Sequence, residues 1–274
     1  MINCFNEALV EAYNSRKKEY FAKIGSPLSS ENPKVNNVVS TLKRDGLCVI
    51  ENYFDHNEAL SLGEMLDTWL DDLKNEKKIW EETIHHFDDI GLTRLLNAHK
   101  IEGNIKSFFE DPFIYEVAKT YACETIESRQ KMLERRKPIN KHGPADDYHV
   151  DEGYYHKFKA FLYLTDVSES TAPFDYYIGS HEDASWRIPK EIQMHAWETY
   201  GNEATFGWRG NCFDSREMDE IIKQNNYEHK ICTAKAGTLI FVDTRGIHKA
   251  TTPQTGGRLM LGNYFEVSRK KLFS

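Results

Sequence analysis

The sequence predicts a mainly β fold with flanking helices, in which the strands form a double-sheet barrel or jelly roll. Segments 158–164, 237–243 and 258–267 are rich in aromatic and β-branched residues and are bounded by turn residues, which is typical of strands. Helical patterns precede and interrupt these segments. Helices gathered around one antiparallel β-unit indicate such a barrel, whose mouth can hold a ligand among inward-facing side chains.

The N-terminal part, 1–125, is predicted to be mainly helical with one early core strand. A helix of weak amphipathicity is expected over 3–23, followed by a polar linker over 26–37. The apolar run Leu47–Ile50, entered through an Asp-Gly turn, predicts a short buried strand.

Two further helices are predicted in this part from their first turns. Asp55 and Glu58 have the spacing of a capping box, and apolar residues then recur at helical spacing over 56–74. Asp111-Pro112 opens the other helix, because proline is favoured in the first turn.

An insert over 182–230 separates the first of the later strands from the second. It contains two helical patterns, 189–200, closed by a glycine, and 214–225, which starts with an Asp-x-x-Glu box. We expect one domain over 1–274 with its β-core over 126–267, since a β-barrel of this length can be a single domain.

Composition predicts a protein without a nucleic-acid or membrane partner. A formal charge of −8 gives no support for the basic surface that nucleic acids require. No segment approaches ~20 uninterrupted apolar residues, and the N-terminus lacks the apolar core of a signal peptide. Five cysteines without CxxC spacing favour a reducing compartment over a disulfide framework. The expected location is therefore the cytoplasm.

The residues that indicate chemistry are His149-Val150-Asp151 and the distant His248. In a strand, residues two apart project from the same face, so His149 and Asp151 can reach inwards together. With His248 they make two imidazoles and one carboxylate, the ligand set of non-heme iron(II) oxygenases, which leaves other positions on the ion open. Cobalt, nickel or zinc would bind the same set, and the need for a redox-active ion favours iron.

Arg258 lies ten residues beyond His248, where a turn and a second strand would bring its guanidinium back towards the metal. A guanidinium holds a carboxylate in a bidentate pair, and so suits the far end of a dicarboxylate cosubstrate. The alternative role for Arg258 is an ion pair within the barrel.

The order of these motifs resembles the phytanoyl-CoA dioxygenase-like (PhyH) branch of the iron(II)/2-oxoglutarate-dependent oxygenases. The resemblance covers residues 45–267. It is carried by Asp45–Ile50, His149–Asp151, Ile178–His181, Gly237–Phe241, His248 and Arg258.

The resemblance implies a double-stranded β-helix core of the cupin-like kind and one catalytic domain. It implies Fe(II) held by His149, Asp151 and His248, with 2-oxoglutarate and O2 as cosubstrates. The distal carboxylate of 2-oxoglutarate would pair with Arg258. Such enzymes oxidise their substrate with release of succinate and CO2.

Two positions bear on this resemblance. Ala250 stands where the family often has Ser or Thr, so Thr252 or its neighbour Thr251 would supply a hydroxyl to the distal carboxylate instead. Asp151 is retained, whereas halogenating relatives replace this carboxylate with a small residue. The resemblance therefore implies hydroxylation or another oxidation rather than halogenation.

Further candidates surround the predicted metal site. Phe161 and Tyr163 lie on the strand after His149-Val150-Asp151 and would flank the cosubstrate, with core packing as the alternative for at least one. Tyr148 is a candidate substrate contact. Trp208 and Arg209 belong to the insert, where an aromatic ring stacks on a flat substrate and a guanidinium binds an anionic group.

The leading hypothesis is an oxygenase that hydroxylates a small molecule. A non-catalytic, cupin-like metal-binding protein is one alternative, and an oxygenase acting on a protein side chain is another. Desaturation, cyclisation and epimerisation use the same cofactors and stay open, as do the identity of the substrate and the oligomeric state.

Overall fold

The structure is a computed structural model that describes residues 7–24, 28–73, 84–87, 91–100, 102–122, 126–138, 146–151, 157–182, 186–187, 190–192 and 211–267. Its helices are α1 (Glu7–Ile24), α2 (Pro33–Asp45), α3 (His56–Leu73), α4 (Lys106–Phe109), α5 (Pro112–Tyr121) and α6 (Ser215–Asn225). Two short 3-10 turns occupy Ala98–Lys100 and Gly103–Ile105.

The strands form two antiparallel sheets. They are β1 (Leu47–Ile50), β2 (Ile84–Phe87), β3 (Leu92–Leu96), β4 (Ile126–Arg136), β5 (Lys157–Tyr163), β6 (Phe174–Tyr177), β7 (His229–Cys232), β8 (Leu239–Asp243), β9 (His248–Ala250) and β10 (Arg258–Val267). The larger sheet has the order β1-β8-β5-β10-β4-β3-β2, and the smaller has the order β7-β6-β9. His149 pairs with His248 and so extends the smaller sheet beyond β9. Two such sheets are the arrangement expected of a double-stranded β-helix.

The centre of the larger sheet is buried on both faces, and this explains why β8, with the sequence LIFVD, is apolar at every position but its last. The outer face packs against α2, α3 and α5 through Leu42, Leu66, Val117, Phe158, Phe241, Leu261 and Phe265, among others. The inner face packs against the smaller sheet through Phe161, Tyr163, Phe174, Tyr176, Ile240, Val242 and Met260, among others. Because side chains alternate along a strand, alternate residues of β5 and β10 belong to the two cores.

Strand register determines which polar residues enter the interior. Met260, an inner-core residue, pairs with Tyr163 on one side and with Glu134 on the other. Glu134 pairs in turn with Arg94 of β3. Residues that pair directly across a sheet share a face, so Glu134 and Arg94 point into the same interior as Tyr163.

Most predicted elements are present. The structure has the predicted strands as β1, β5, β8 and β10, and the predicted helices as α1, α3, α5 and α6, with bounds that differ by a few residues. The capping box of α6 is complete, with Asp214 and Glu217 each accepting from the other's backbone N–H. The predicted helix over 189–200 lies mostly outside the described residues.

The predicted linker over 26–37 is wrong in its second half, where α2 begins. The Asn32 side chain caps the backbone N–H of Lys34, and Pro33 occupies the first turn. The buried residues Val35, Val38, Val39 and Leu42 follow helical spacing. The helix ends at Gly46, whose left-handed φ of 75° allows its N–H to bond the Leu42 carbonyl.

The prediction of only one strand in 1–125 is also corrected, because β2 and β3 lie there too. β3 pairs with β4 and extends the larger sheet at the edge away from β1. The pairing of β3 with β4 has no local signal, since Leu92–Leu96 pairs with a segment 40 residues later, whereas β2 pairs with the neighbouring β3. No helix in the described ranges is long and apolar enough to cross a membrane.

The packing of α3 on the sheet yields a stability prediction. A Cβ atom on Gly63 would lie 2.3 Å from the backbone oxygen of Leu164. Gly63→Ala is therefore expected to lower the free energy of unfolding by about 1–3 kcal/mol through overpacking, although alanine is the better helix former. Urea unfolding measures the change. Gly103→Ala is the control, since nothing lies within 4 Å of its added Cβ, and equal stability of both variants would contradict the prediction.

Candidate metal centre

His149, Asp151 and His248 meet at one point at the edge of the smaller sheet. One ligand atom from each lies within 4.8 Å of the others, so a small contraction of the three side chains would place them on one ion. The two histidines form a reciprocal backbone pair, with both N–H···O distances at 2.9 Å. Their imidazole rings are 4.3 Å apart. The structure thus brings together the three residues predicted as metal ligands.

Both imidazoles are held in the same tautomer. Nδ1 of His149 donates to the Asp147 carbonyl and Nδ1 of His248 donates to the Gly246 carbonyl, each at 2.9 Å. A carbonyl only accepts, so Nδ1 carries the proton and Nε2 keeps its lone pair. Hydrogen bonding of one ring nitrogen in this way orients the other towards a metal.

The Asp151 carboxylate has its two oxygens in different surroundings. Oδ1 lies 3.9 Å from Nε2 of His248. Oδ2 accepts from the Thr244 hydroxyl at 2.5 Å and lies 2.5 Å from the Lys159 ammonium. Oδ1 is therefore the oxygen directed towards the histidines.

The pKa shifts favour the protonation states that a metal site requires. Burial alone would raise the pKa of Asp151, but the Lys159 charge and the two histidines outweigh it and lower that pKa well below its usual value. Burial, and next the neighbouring His149, lower the pKa of His248 to about 3. Burial also lowers the pKa of His149. Near neutral pH the site thus offers an ionised carboxylate and two neutral imidazoles.

This donor set fits a divalent transition metal. Two imidazole nitrogens and one carboxylate oxygen suit iron, and they occupy too few positions to complete an octahedron. His248 is buried, whereas His149 and Asp151 are partly exposed, so the ion would be approached from the side of the latter two.

Arg258 is buried inside the barrel and already carries an ion pair. Its Nη2 lies 2.6 Å from Oε1 of Glu134, and its Nη1 donates to the Ala172 carbonyl at 2.8 Å. The ion pair foreseen as the alternative role is therefore present. Nε of Arg258 has no hydrogen-bond partner in the described part of the chain, so one buried donor stays available for a further anion.

Glu134 sits at the centre of a buried charge network. Its Oε2 accepts from Nε of Arg94 at 2.7 Å, while Oε1 faces Arg258. Arg136, 3.8 Å from Glu134, also pairs with Asp146 at 2.7 Å. Burial opposes ionisation of Glu134, but the three arginines outweigh it and lower its pKa to about 2. The network fixes the guanidinium of Arg258 in place.

Thr252 is the hydroxyl suggested as a partner for the distal carboxylate. Its buried Oγ1 has no hydrogen-bond partner among the described residues. Thr251, beside it, bonds the Pro173 carbonyl, and Arg258 bonds the adjacent Ala172 carbonyl. The segment Ala172-Pro173 thus bonds both Arg258 and Thr251, the neighbour of Thr252.

Sequence and structure comparisons identify the family and the fold of the chain. Residues 42–260 match the family described as phytanoyl-CoA dioxygenase (PhyH). The chain belongs to this family. The predicted double-stranded β-helix and the predicted enzyme class, a 2-oxoglutarate-dependent dioxygenase, are thereby confirmed. Among curated proteins, none matches the chain by sequence.

Solved structures share the fold at low identity. EctD from S. alaskensis with bound Fe is 18% identical, with a TM-score of 0.63 over 88% of this chain and 80% of that one. The carbocyclase SnoK from nogalamycin biosynthesis is 16% identical, with a TM-score of 0.56 over 88% and 87%. HygX from Streptomyces hygroscopicus with nickel, 2-oxoglutarate and hygromycin B is 13% identical, with a TM-score of 0.53 over 85% and 87%.

The predicted cosubstrate neighbours of this PhyH-family chain, Phe161 and Tyr163, both line the inner core. Phe161 packs 5.5 Å from Phe174, whose ring lies 5.5 Å from that of His248. The Tyr163 hydroxyl donates to the Cys232 carbonyl and accepts from the Phe174 N–H, each at 3.2 Å. The Tyr163 hydroxyl is thus bonded to the backbone on both counts. Its ring centre lies 6.0 Å from the Arg258 guanidinium.

Tyr148 is placed differently from the prediction. Its hydroxyl donates to Asp175 at 3.1 Å, and its ring packs 5.2 Å from Tyr177, on the face of the smaller sheet opposite the inner core. Side chains alternate along an extended segment, so Tyr148 points away because its neighbour His149 points inwards. Its role as a substrate contact stays a prediction, and its side chain lies on the face of the sheet opposite the metal ligands. Trp208 and Arg209 lie outside the described residues.

Sequence reasoning missed Lys159, Thr244 and Glu134. Lys159 had a signal, since it alternates with Phe161 and Tyr163, and so shares the inward face assigned to them. Thr244 had none, because its contact with Asp151 joins residues 93 apart. Glu134 lies in a charged run that ordinarily indicates an exposed surface.

The charge network predicts a pH-dependent stability. Glu134→Gln leaves Arg94 and Arg258 without their buried counter-charge, and is expected to lower the free energy of unfolding at pH 7 by about 3–5 kcal/mol. The folded pKa of Glu134 lies below the unfolded value of 4.5, so its contribution is present above that pH and is lost towards pH 2.

The difference in the free energy of unfolding between wild type and Glu134→Gln should therefore become smaller as the pH falls from 4.5 towards 2. Urea unfolding at a series of pH values measures it, with the exposed Glu127→Gln on the same strand as control. A difference that stays constant down to pH 3 would show that Glu134 is not ionised in the folded protein.

Proposed function

We propose that this protein is a non-heme iron(II)- and 2-oxoglutarate-dependent dioxygenase that hydroxylates a small molecule. The observation that carries the proposal is the convergence of His149, Asp151 and His248, with lone pairs free at Nε2 and a carboxylate oxygen directed towards them. The buried donors of Arg258 and Thr252 support a dicarboxylate cosubstrate.

His149, Asp151 and His248 would hold the iron. Together, bound iron and 2-oxoglutarate supply the oxidation of a substrate C–H bond by O2, with release of succinate and CO2. The backbone pair between the two histidines keeps their Nε2 atoms on one side, and Thr244 and Lys159 keep Oδ1 of Asp151 turned towards them.

Arg258 and Thr252 would bind the distal carboxylate of 2-oxoglutarate. Arg258 would contribute its unpaired Nε, while Glu134 and Ala172 hold its other nitrogens. Phe161 would form an apolar wall that excludes water, since it packs through Phe174 against the metal ligand His248. A charge-assisted bond in so dry a setting is stronger than in water.

Similar structures support a small-molecule substrate. HygX is described with hygromycin B, and EctD with 5-hydroxyectoine. SnoN is an epimerase and SnoK a carbocyclase, so this fold carries out several reactions, and for this chain we propose hydroxylation. We also propose that the chain is a single catalytic domain. The cytoplasmic location stays a prediction.

Asp151→Ala tests the proposed metal site. Wild-type protein mixed anaerobically with Fe(II) and 2-oxoglutarate is expected to show a visible metal-to-ligand charge-transfer band, and Asp151→Ala is expected to lose it because one of three ligands is gone. Asp147→Ala, at a partly exposed position on the same segment, is the control that is expected to keep the band.

Turnover decides between the alternatives. Succinate formed from 2-oxoglutarate in air, even without added substrate, would exclude a non-catalytic metal-binding protein. If wild-type protein gave neither the band nor succinate, the proposed function would be wrong. Modification of a protein target with no small molecule oxidised would favour the alternative of a protein side chain as substrate.

Thr252→Val tests the cosubstrate site. Loss of a hydrogen bond to a carboxylate is expected to weaken 2-oxoglutarate binding roughly 10–100-fold, since such bonds contribute about 1.5–3 kcal/mol. Stability should be unchanged or higher, because the removed hydroxyl has no partner among the described residues. Anaerobic titration of the Fe(II) protein with 2-oxoglutarate measures the first effect and thermal unfolding the second. Thr251→Val is the control, and equal affinities in both variants would refute the role of Thr252.

A further inference from the structure

One oxygen of Asp151 receives two donors. Oδ2 lies 2.5 Å from both the Thr244 hydroxyl and the Lys159 ammonium. Oδ1 has neither contact and lies 3.9 Å from Nε2 of His248. A carboxylate with both oxygens free can rotate or bind an ion through two atoms, and here one oxygen is already engaged.

Thr244 holds Asp151 at both ends. Besides the hydroxyl contact, the Thr244 carbonyl accepts the Asp151 backbone N–H at 2.7 Å. Thr244 is fully buried directly after β8, and its own N–H bonds the Lys157 carbonyl at 2.9 Å. The hydroxyl is thus carried by a rigid piece of backbone rather than by a mobile loop.

Lys159 is held in place as well. It lies on β5 between Val242 and Tyr264 of the neighbouring strands. Its ammonium lies 4.4 Å from the centre of the Tyr264 ring, and its side chain is only 14% exposed. A cation over an aromatic face in a largely desolvated position is a stable arrangement.

We propose that Thr244 and Lys159 are positioning residues that hold Oδ2 of Asp151, so that the carboxylate presents Oδ1 alone to the metal, with the Lys159 charge fixed beside the ion. This inference rests on the proposed function, since it requires that Asp151 binds a metal. Mutation of a group that orients a metal ligand from behind typically lowers metal affinity by about 10–100-fold.

The two residues have separable effects. Thr244 is neutral, so its loss removes one of the two donors to Oδ2 without changing the charge of the site. Lys159 adds a positive charge, which opposes the change from Fe(II) to Fe(III) because the ion gains charge in that step. Lys159 therefore favours the ferrous state, which is the state that reacts with O2 in the proposed function.

The Thr244 arm uses Co(II) binding to the metal-free protein, measured by calorimetry. Thr244→Val is expected to weaken Co(II) binding roughly 10–100-fold, whereas Thr244→Ser keeps a hydroxyl and should restore affinity to near that of wild type. The visible spectrum of bound Co(II) should also change in Thr244→Val but not in Thr244→Ser, because without the hydroxyl the Asp151 carboxylate is held by Lys159 alone and can turn relative to the ion.

The Lys159 arm uses the Fe(III)/Fe(II) midpoint potential without 2-oxoglutarate, from an anaerobic titration with dithionite and ferricyanide. Lys159→Met is expected to shift the potential to a more negative value, and Lys159→Arg, which keeps the charge, to leave it near that of wild type. A role in packing alone would not separate these two variants.

The outcomes separate this inference from the proposed function. If wild-type protein binds neither Co(II) nor iron in a manner that Asp151→Ala abolishes, the proposed function fails. If wild type binds metal normally but Thr244→Val binds Co(II) as wild type does, or Lys159→Met keeps the wild-type potential, only the present inference is overturned. Should Thr244→Val fail to fold, the potential of Lys159→Met still decides.

Discussion

The reciprocal backbone pair between His149 and His248 is the contact on which the site depends. It joins a segment before β5 to the strand β9, which lies between the turn after β8 and the loop to β10. Both N–H···O bonds are 2.9 Å, and they set the two imidazoles 4.3 Å apart. Without this pair the smaller sheet would end at β9, and His149 would lose the two backbone bonds that place it beside His248. The same contact therefore extends the sheet and assembles the ligands.

Electrostatics inside the barrel follow a second constraint, the need to compensate buried charge. Glu134 is ionised because Arg94 and Arg258 lie 2.7 and 2.6 Å from its two oxygens. Asp151 is ionised because Lys159 and the histidines surround it. A buried charge without such partners is strongly destabilising. The ion pairs of Glu134 and Asp151 therefore form when the protein folds, before any ligand binds. Arg258 is consequently pre-oriented, and its unpaired Nε marks where another anion can bind.

The errors of sequence reasoning have physical causes. The helix α2 carried readable signals, an Asn32-Pro33 start and four valine and leucine residues at helical spacing, but its polar surroundings suggested a linker. β3 carried little signal, because it pairs with the distant β4, and a strand is stabilised by its partners more than by its own sequence. The neighbouring β2, which pairs with β3, was missed as well. Tyr148, a candidate substrate contact, lies on the face opposite the metal ligands because side chains alternate along an extended segment.

By itself, the sequence determined the type of fold, the family and the three metal-ligating candidates. Strand periodicity and the order of motifs can be read along the chain without any knowledge of its tertiary contacts. It also indicated Arg258 by its distance from His248. Only the tertiary structure decided that Arg258 shares Glu134 with Arg94, that the Tyr163 hydroxyl is engaged by backbone, and that Thr244 and Lys159 hold Oδ2 of Asp151. These are contacts between residues far apart in the chain, and their geometry arises from strand register and close packing, which no local pattern encodes.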